Sequence, residues 1–341
     1  MTEGFLNQPN LALFHRFLPR KSIFIEVDHG YHVSMFQVNI FDCGGIVLSI
    51  FVAHIIADGQ PISTFLKTWA AFASGSETDP VSPSYISSSL FPQNEIGPED
   101  TLMGTLIPFL KQRKWVTRRF TLNAKSLSAL KAKATNLHNG HIPSRVQSVT
   151  ALIWKSFIAV RNSLSGVQKP SFVSHSVDLR RRAYPPFADS CMGNSVWSAW
   201  AKCKGVCGTE LDLLVGEINK AIKKFDAEFV KQLEGESGIF KYRDAFEGMR
   251  EEINKEAADC LVFTSWFEFG LYKVDFGWGK PALVTGDAVD PDSIYVNMVV
   301  LMETKEGDGM EAWVTLDEQE MAILESQMEL LSFASVDHDG D

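Results

Sequence analysis

The sequence lacks most of the features from which a protein's chemistry is commonly read. No G-x-G-x-x-G or G-x-x-x-x-G-K-[ST] loop is there to cradle a nucleotide phosphate, and no H-E-x-x-H to hold zinc. No serine or cysteine sits in a G-x-S-x-G elbow, so a covalent acyl-enzyme has no obvious nucleophile. Basic residues are the minority charge: 32 Lys and Arg stand against 42 Asp and Glu, a formal net charge of -10. That argues against a nucleic-acid binder, which needs positive charge to displace counterions from phosphates. Long apolar runs are scarce too. The longest, "IVLSIFVAHIIA", is too short to span a bilayer, and the opening "MTEGFLNQPN" lacks the charged and apolar regions of a secretory leader. Cysteine is sparse and odd in number: Cys43, Cys191, Cys203, Cys207 and Cys260. Only Cys203 and Cys207 are close, with no second pair at zinc spacing, so free thiols, no metal and a cytoplasmic location are expected, with no membrane partner.

What is there is a globular composition, 45% apolar and 22% charged over 341 residues. "KSIFIEVDHGYHVSMFQVNIFDCGGIVLSIFVAH" is rich in β-branched and aromatic residues with turn signals at "DHG" and "DCGG". It predicts two or three strands, the last buried on both faces. "PISTFLKTWAAFASG" predicts a helix from Pro61 to Gly75 with Ile62, Phe65, Leu66 and Trp69 on its apolar face. Residues 76–104 carry several prolines and serines with no period, which reads as a long loop or crossover. Beyond it, strands are expected at "KWVTRRFTLN", "PSFVSHSVDLR" and "SVWSAWAKC", and a hairpin at "SIYVNMVVLMET" and "GMEAWVTL". Helices are expected at "AKSLSALKAKATN", "SRVQSVTALIWKSFIAVRNSL", 209–234, 239–256 and "DEQEMAILESQMELLSF". Strands and helices alternate in both halves, which makes the class α/β with two domains.

Two short stretches stand out chemically. In "SIFVAHIIADGQP" an apolar strand ends in His54, and Asp58 and Gly59 follow. One reading makes His54 a strand-end histidine bonded to a carbonyl and Asp58 a helix cap. The other makes His54 a general base presented on a strand-end loop, with Gly59 allowing a tight turn or close backbone approach. The second stretch is "DFGWG", Asp275 to Gly279, where turn-forming glycines flank Trp278. A tight turn with Trp278 as an anchor accounts for it, and no kinase motif accompanies its "DFG".

"HIIADG" followed more than two hundred residues later by "DFGWGKP" resembles the paired signature of the plant BAHD acyl-CoA-dependent acyltransferases. "FDCGGIVLSIFVAH", "SRVQSVTALIWK", "SVDLRRRAYPP", "MGN", "FTSW" and "GDGMEAWVTL" extend the likeness over essentially the whole chain, and most toward the alkaloid acetyltransferases of that family. The resemblance implies two chloramphenicol-acetyltransferase-like domains, each a mixed sheet flanked by helices. On this sequence they fall at 1–88 and 108–333, joined by a crossover at 89–107 and followed by an acidic tail at 334–341. It implies a monomer that binds acyl-CoA as cosubstrate and a small-molecule alcohol as acceptor, with no permanently bound cofactor. His54 would be the catalytic base. Asp58 and Gly59 would support it structurally, Asp58 through an ion pair with Arg180. Asp275, Gly277 and Gly279 would be structural, and Trp278 either packing or an oxyanion donor. Asn194 and Ser265 are candidates for CoA, whereas Arg181 and Arg182 read as a solvated turn. His54 follows only 53 residues. By the same resemblance roughly a hundred residues are absent from the front, so the first domain is expected to be incomplete. A truncated, non-catalytic relative that binds CoA or a partner is the alternative, and a hydrolase the weaker third reading.

Overall fold

The computed structural model describes residues 11–19, 32–76, 79–92, 109–135, 140–205, 209–286, 289 and 291–337. Most of the expected crossover, the first ten residues, Cys207 and the last four residues lie outside them. A 3-10 helix, Leu11–Phe17, comes first. Strands β1 (Ser34–Ile40) and β2 (Ile46–Val52) then form an antiparallel hairpin with Phe36 opposite Ile50. The expectation that the last strand here is buried on both faces is wrong: within β2 only Ser49 is buried. Among the described residues β2 has β1 alone as its neighbour, so both of its faces keep some exposure.

Helix α1 (Gly59–Ser74) starts where its signals place it, with the Asp58 carboxylate accepting from the Gln60 amide, and stops at Gly75. It lies on β1 through Phe36, whose ring meets Trp69 edge-on at 5.0 Å. Helix α2 (Ile86–Leu90) sits inside the stretch read as irregular. So short a helix has no stability of its own. It is held because the Ser87 hydroxyl donates to the Met192 carbonyl, while Ser84 exchanges backbone bonds with Ser190 and Met192.

The rest of the chain builds one larger unit. It runs through β3 (Lys111–Gln112), β4 (Trp115–Leu122), α3 (Ala124–Ala134), α4 (Arg145–Ser165), β5 (Ser171–Asp178) and β6 (Val196–Cys203). Then come α5 (Leu211–Ile222), α6 (Ala227–Gln232), α7 (Gly238–Glu256), β7 (Asp259–Ser265), β8 (Ile294–Tyr295), β9 (Met298–Glu303) and β10 (Met310–Asp317). Helices α8 (Glu318–Leu324) and α9 (Met328–Leu331) and strand β11 (Ser335–Val336) close it. Seven of these strands form a mixed sheet in the order β11-β4-β10-β9-β7-β5-β6, parallel at β5–β7 and β7–β9 and antiparallel elsewhere. One face of the sheet packs on the helices. Helix α4 is the centre of that core: Trp154, Phe157 and Leu152 are fully buried on it, and Ser144 and Gln147 close a reciprocal capping box at its start. The other face carries Val300, Met302 and Trp313 under Phe14 and the segment through Leu283 and Val284.

Several boundaries differ from expectation, each for a tertiary reason. The helix expected over 209–234 breaks into α5 and α6 because Arg182 Nη1 donates to the carbonyls of Ile222 (3.3 Å) and Phe225 (2.5 Å), and Asp226 then caps α6. Arg182 is therefore half-buried and structural, not part of a solvated turn. Asn297 interrupts the strand expected at "SIYVNMVVLMET", because its carbonyl accepts from Val262 and its amide donates to Cys260 of β7. The closing helix breaks between α8 and α9, where Arg118 binds Glu325. The expected tail supplies β11, and Asp337 pairs with Arg119 of β4. Strand β7 was not expected at all.

Burial holds His175, on β5, below the ordinary imidazole range. It stacks on Phe263 and faces the Thr150 hydroxyl at 3.3 Å. The unfolded chain therefore binds a proton here that the native chain does not. Stability falls as pH drops below the usual imidazole value of about 6.5, by up to about 1.4 kcal/mol per pH unit. Thermal melts of wild type and His175→Gln at pH 7 and 5.5 should show the variant losing less stability across that interval.

Candidate active site

The carboxyl ends of parallel strands are where such sheets present reactive groups. Here β5 runs into Leu179 and Arg180, and β7 ends at Ser265 before Trp266. Between β5 and β6 the chain returns through Cys191, Met192, Gly193 and Asn194. This return segment bridges Ala57 on one side and Ser84 on the other. Gly193 donates to the Ile56 carbonyl at 3.0 Å and accepts from the Asp58 amide at 3.3 Å. Its φ of 97° is open to glycine, and a side chain there would meet Ser87 Oγ at 3.0 Å.

This return segment fixes the loop 53–58. Arg180 is fully buried, and its Nη1 donates to Asp58 Oδ2 at 2.8 Å and to Asp178 Oδ1 at 3.3 Å. Its Nη2 donates to the carbonyls of Cys191 (2.8 Å) and Gly193 (3.2 Å). Asp58 also accepts from the Ser195 amide (2.9 Å) and the Gln60 amide (3.1 Å), so it caps α1 and ties that helix to the larger unit at once. Burial pushes the Asp58 carboxyl up from the ordinary aspartate range, and Arg180 and the two amides pull it back toward the ionised form. Its oxygens are occupied by these donors, none of which belongs to His54.

His54 stands exposed on the turn after β2. Asn194 grips it twice. Asn194 Nδ2 donates to the His54 carbonyl at 2.6 Å, and Asn194 Oδ1 lies 2.9 Å from His54 Nδ1. The first bond fixes which way the carboxamide faces, so Oδ1 must accept and Nδ1 must carry the proton. In the neutral ring that leaves the lone pair on Nε2, which has no bonded partner among the described residues. Asn194 was expected at CoA; the structure places it on the histidine. The signal that could have found this pairing, a polar residue after "MG", is weak without the fold.

Gly59 has a role of close approach. A Cβ there would stand 2.6 Å from Phe269 Cε2 and 3.7 Å from Trp266 Nε1. The absent side chain lets both aromatic rings reach the start of α1, a few residues from His54. Ser265 accepts from the Phe267 amide at 3.3 Å and closes the turn that leads out of Trp266.

The second motif lies elsewhere. Asp275 Oδ1 accepts from the Gly277 (2.8 Å) and Gly279 (3.0 Å) amides, closing a turn whose φ of 94° and 103° suits only glycine. Phe276 meets Trp69 edge-on at 4.9 Å, and Trp278 stacks on Phe276 while 60% exposed. A Cβ at Gly277 would lie 3.5 Å from Ser74 at the last turn of α1. Fifteen residues of helix separate that turn from Gly59, roughly 22 Å. Trp278 is thus at the far end of α1 from His54, stacked on Phe276.

Comparison with known proteins bears on the same surface. The profile of the Transferase family matches residues 2–331. The limonoid 7-O-acetyltransferase of Citrus sinensis is 38% identical over 342 residues, an alignment that covers 98% of this chain and 74% of that protein. The crystal structure of vinorine synthase superposes with a TM-score of 0.75 at 30% identity, over 97% of this chain and 74% of that one. At 18% identity, F. graminearum TRI101 complexed with coenzyme A and deoxynivalenol shares the fold, with a TM-score of 0.68 over 94% of this chain and 74% of that one. Among the described residues no helix is long and apolar enough to cross a membrane, and no three His, Cys, Asp or Glu side chains are grouped to hold a metal ion.

Proposed function

The chain belongs to the plant BAHD acyl-CoA-dependent O-acyltransferases, and on that premise we propose that it moves an acyl group, acetyl in the first instance, from CoA to a hydroxyl of a polycyclic plant specialised metabolite. The observation that carries the mechanism is the His54–Asn194 pair, which leaves Nε2 as a free base. Nε2 takes the proton of the acceptor hydroxyl as its oxygen attacks the thioester carbonyl. The tetrahedral adduct collapses, the C–S bond breaks, and the imidazolium returns its proton to the departing CoA thiolate. No acyl-enzyme forms, and catalysis rests on holding both substrates at one base. The adduct's oxyanion needs a donor. The Trp266 indole, beside Gly59, is better placed for that than Trp278.

Acetyl is supported by the limonoid acetyltransferase, and coenzyme A by its presence in the TRI101 structure. The alkaloid acceptor suggested by the sequence now stands beside a limonoid-type one, and both scaffolds belong in the first panel. The test is release of free CoA thiol from acetyl-CoA with and without these alcohols. Release that depends on the acceptor and yields the O-acetyl ester supports the reading. Sustained release with no acceptor would instead mean hydrolysis, and no release with any alcohol would favour the non-catalytic alternative.

Asn194→Ala tests the tautomer argument. It removes both bonds to His54, of which the one to the ring, worth roughly 1 kcal/mol, sets the tautomer, so kcat should fall roughly fivefold while the KM for acetyl-CoA stays put. A raised KM with unchanged kcat would return Asn194 to CoA binding.

A further inference from the structure

Residues 266–277 run alongside α1 for its whole length, in the same direction. Phe269 faces Gly59 at the first turn, a Cβ at Gly270 would lie 3.6 Å from Lys67 Cε at the middle, and Phe276 meets Trp69 while Gly277 faces Ser74 at the end. The segment leaves the sheet at Trp266, whose amide donates to the Leu301 carbonyl at 2.7 Å, and returns to it at Val284. Between those points one buried side chain fastens it by polar bonds. The Tyr272 hydroxyl donates to Glu311 Oε1 at 3.3 Å and accepts from the Val284 amide at 3.3 Å. Tyr272 is 6% exposed and Glu311 5%.

Glu311 is itself held rigidly on the sheet. Its Oε2 accepts from Trp313 Nε1 at 3.1 Å, and Arg119 stands 3.8 Å from Oε1. Arg119 is in turn locked by Asp337 and lies over the Trp313 ring. Burial alone pushes this carboxyl up, and these donors draw it back. A glutamate on the sheet face that lies under Phe14 makes no bond to His54, yet it is paired as carefully as Asp58. Its position explains why. One hydroxyl ties the middle of the excursion that carries Trp266, Phe269 and the second motif to Glu311 on the sheet and to Val284 at its returning end.

We infer that Tyr272 and Glu311 form a clamp that sets the position of Trp266 and Phe269 against the start of α1, and so act as positioning residues for the reaction at His54. The inference rests on the proposed acyl transfer for its kinetic readout and on the fold alone for its structural one. Removing the hydroxyl frees the middle of the segment, while its apolar ends still dock. Substrate binding should survive, and the alignment needed in the transition state should not.

The experiment compares Tyr272→Phe, Glu311→Leu and Glu311→Gln with Tyr295→Phe, a buried tyrosine under a different part of the sheet. Steady-state kinetics with acetyl-CoA are read together with hydrogen exchange of residues 266–284. Tyr272→Phe and Glu311→Leu should each lower kcat about tenfold, within the ~hundredfold range of ångström-scale misplacement, with KM for acetyl-CoA unchanged and faster exchange across the segment. Their double variant should be no worse than either alone. Glu311→Gln should recover most of kcat, since a tyrosine hydroxyl can accept as well as donate. Tyr295→Phe should move neither readout. Additive losses, unchanged exchange in the segment, or equal losses in Tyr295→Phe overturn the clamp. If wild type transfers no acyl group, the proposed function fails by itself, and the exchange data still decide for or against the clamp.

Discussion

His54→Ala should lower kcat for the proposed acyl transfer by about 10²–10⁴-fold, the usual contribution of a positioned general base. Its fold survives. His54 is exposed on a turn, and its ring bonds Asn194. Losing that bond and leaving Asn194 to water costs about 1 kcal/mol or less. Turnover and urea unfolding should therefore separate cleanly in this variant: an inactive enzyme with a near-parental midpoint. A folded His54→Ala variant that keeps more than about a tenth of the parental rate, well above what loss of a base allows, would remove the histidine from the mechanism.

Asp58→Ala behaves in the opposite way. It strands a guanidinium that is fully buried and has Asp58 at 2.8 Å as its closest anionic partner. Breaking a buried pair from one side costs about 3–5 kcal/mol, and loss of the helix cap adds about 1 more. Against a total stability of about 5–15 kcal/mol, that is enough to remove most soluble protein at ambient temperature. Arg180→Ala should fail similarly, since it leaves a buried carboxylate without its cation and removes the guanidinium donors to the carbonyls of Cys191 and Gly193. Soluble yield and activity should fall together in both variants. Asp58→Ala with a parental unfolding midpoint and a defect confined to kcat would make Asp58 a participant in the chemistry.

The contrast between these two residues was legible in the sequence only through the company they keep. Four residues apart on a strand-end turn, they carry no local mark that one stands exposed and the other is buried in an ion pair. The fold distinguishes them, because Arg180 reaches Asp58 across 122 positions and Asn194 reaches His54 across 140. Elements with strong periodicity, such as α4 and β10, could be read directly, since their own side chains decide them. Strand β7 was hidden: its "CLVF" run has no alternation, because the helices cover one of its faces and its neighbours β5 and β9 flank both of its edges. The break after α5 was equally invisible, since Arg182, about 40 residues earlier, causes it by taking the carbonyls of Ile222 and Phe225. Trp278 was undecidable from its motif. Only the length of α1 separates packing at one end from chemistry at the other.

The return segment Cys191–Asn194 has one more consequence, for anyone who wishes to retarget the enzyme. Its backbone bonds hold the loop 53–58 at Ala57 and the short helix region at Ser84, while the Asn194 side chain bonds His54. Variation within it changes brace and base together, so a library built there will be dominated by unfolded members. Phe269 and its neighbours on the opposite wall contribute ring surface near Gly59 without carrying the ion pair. Substitutions on that wall leave the buried Asp58–Arg180 pair intact, so they are expected to alter turnover rather than folding.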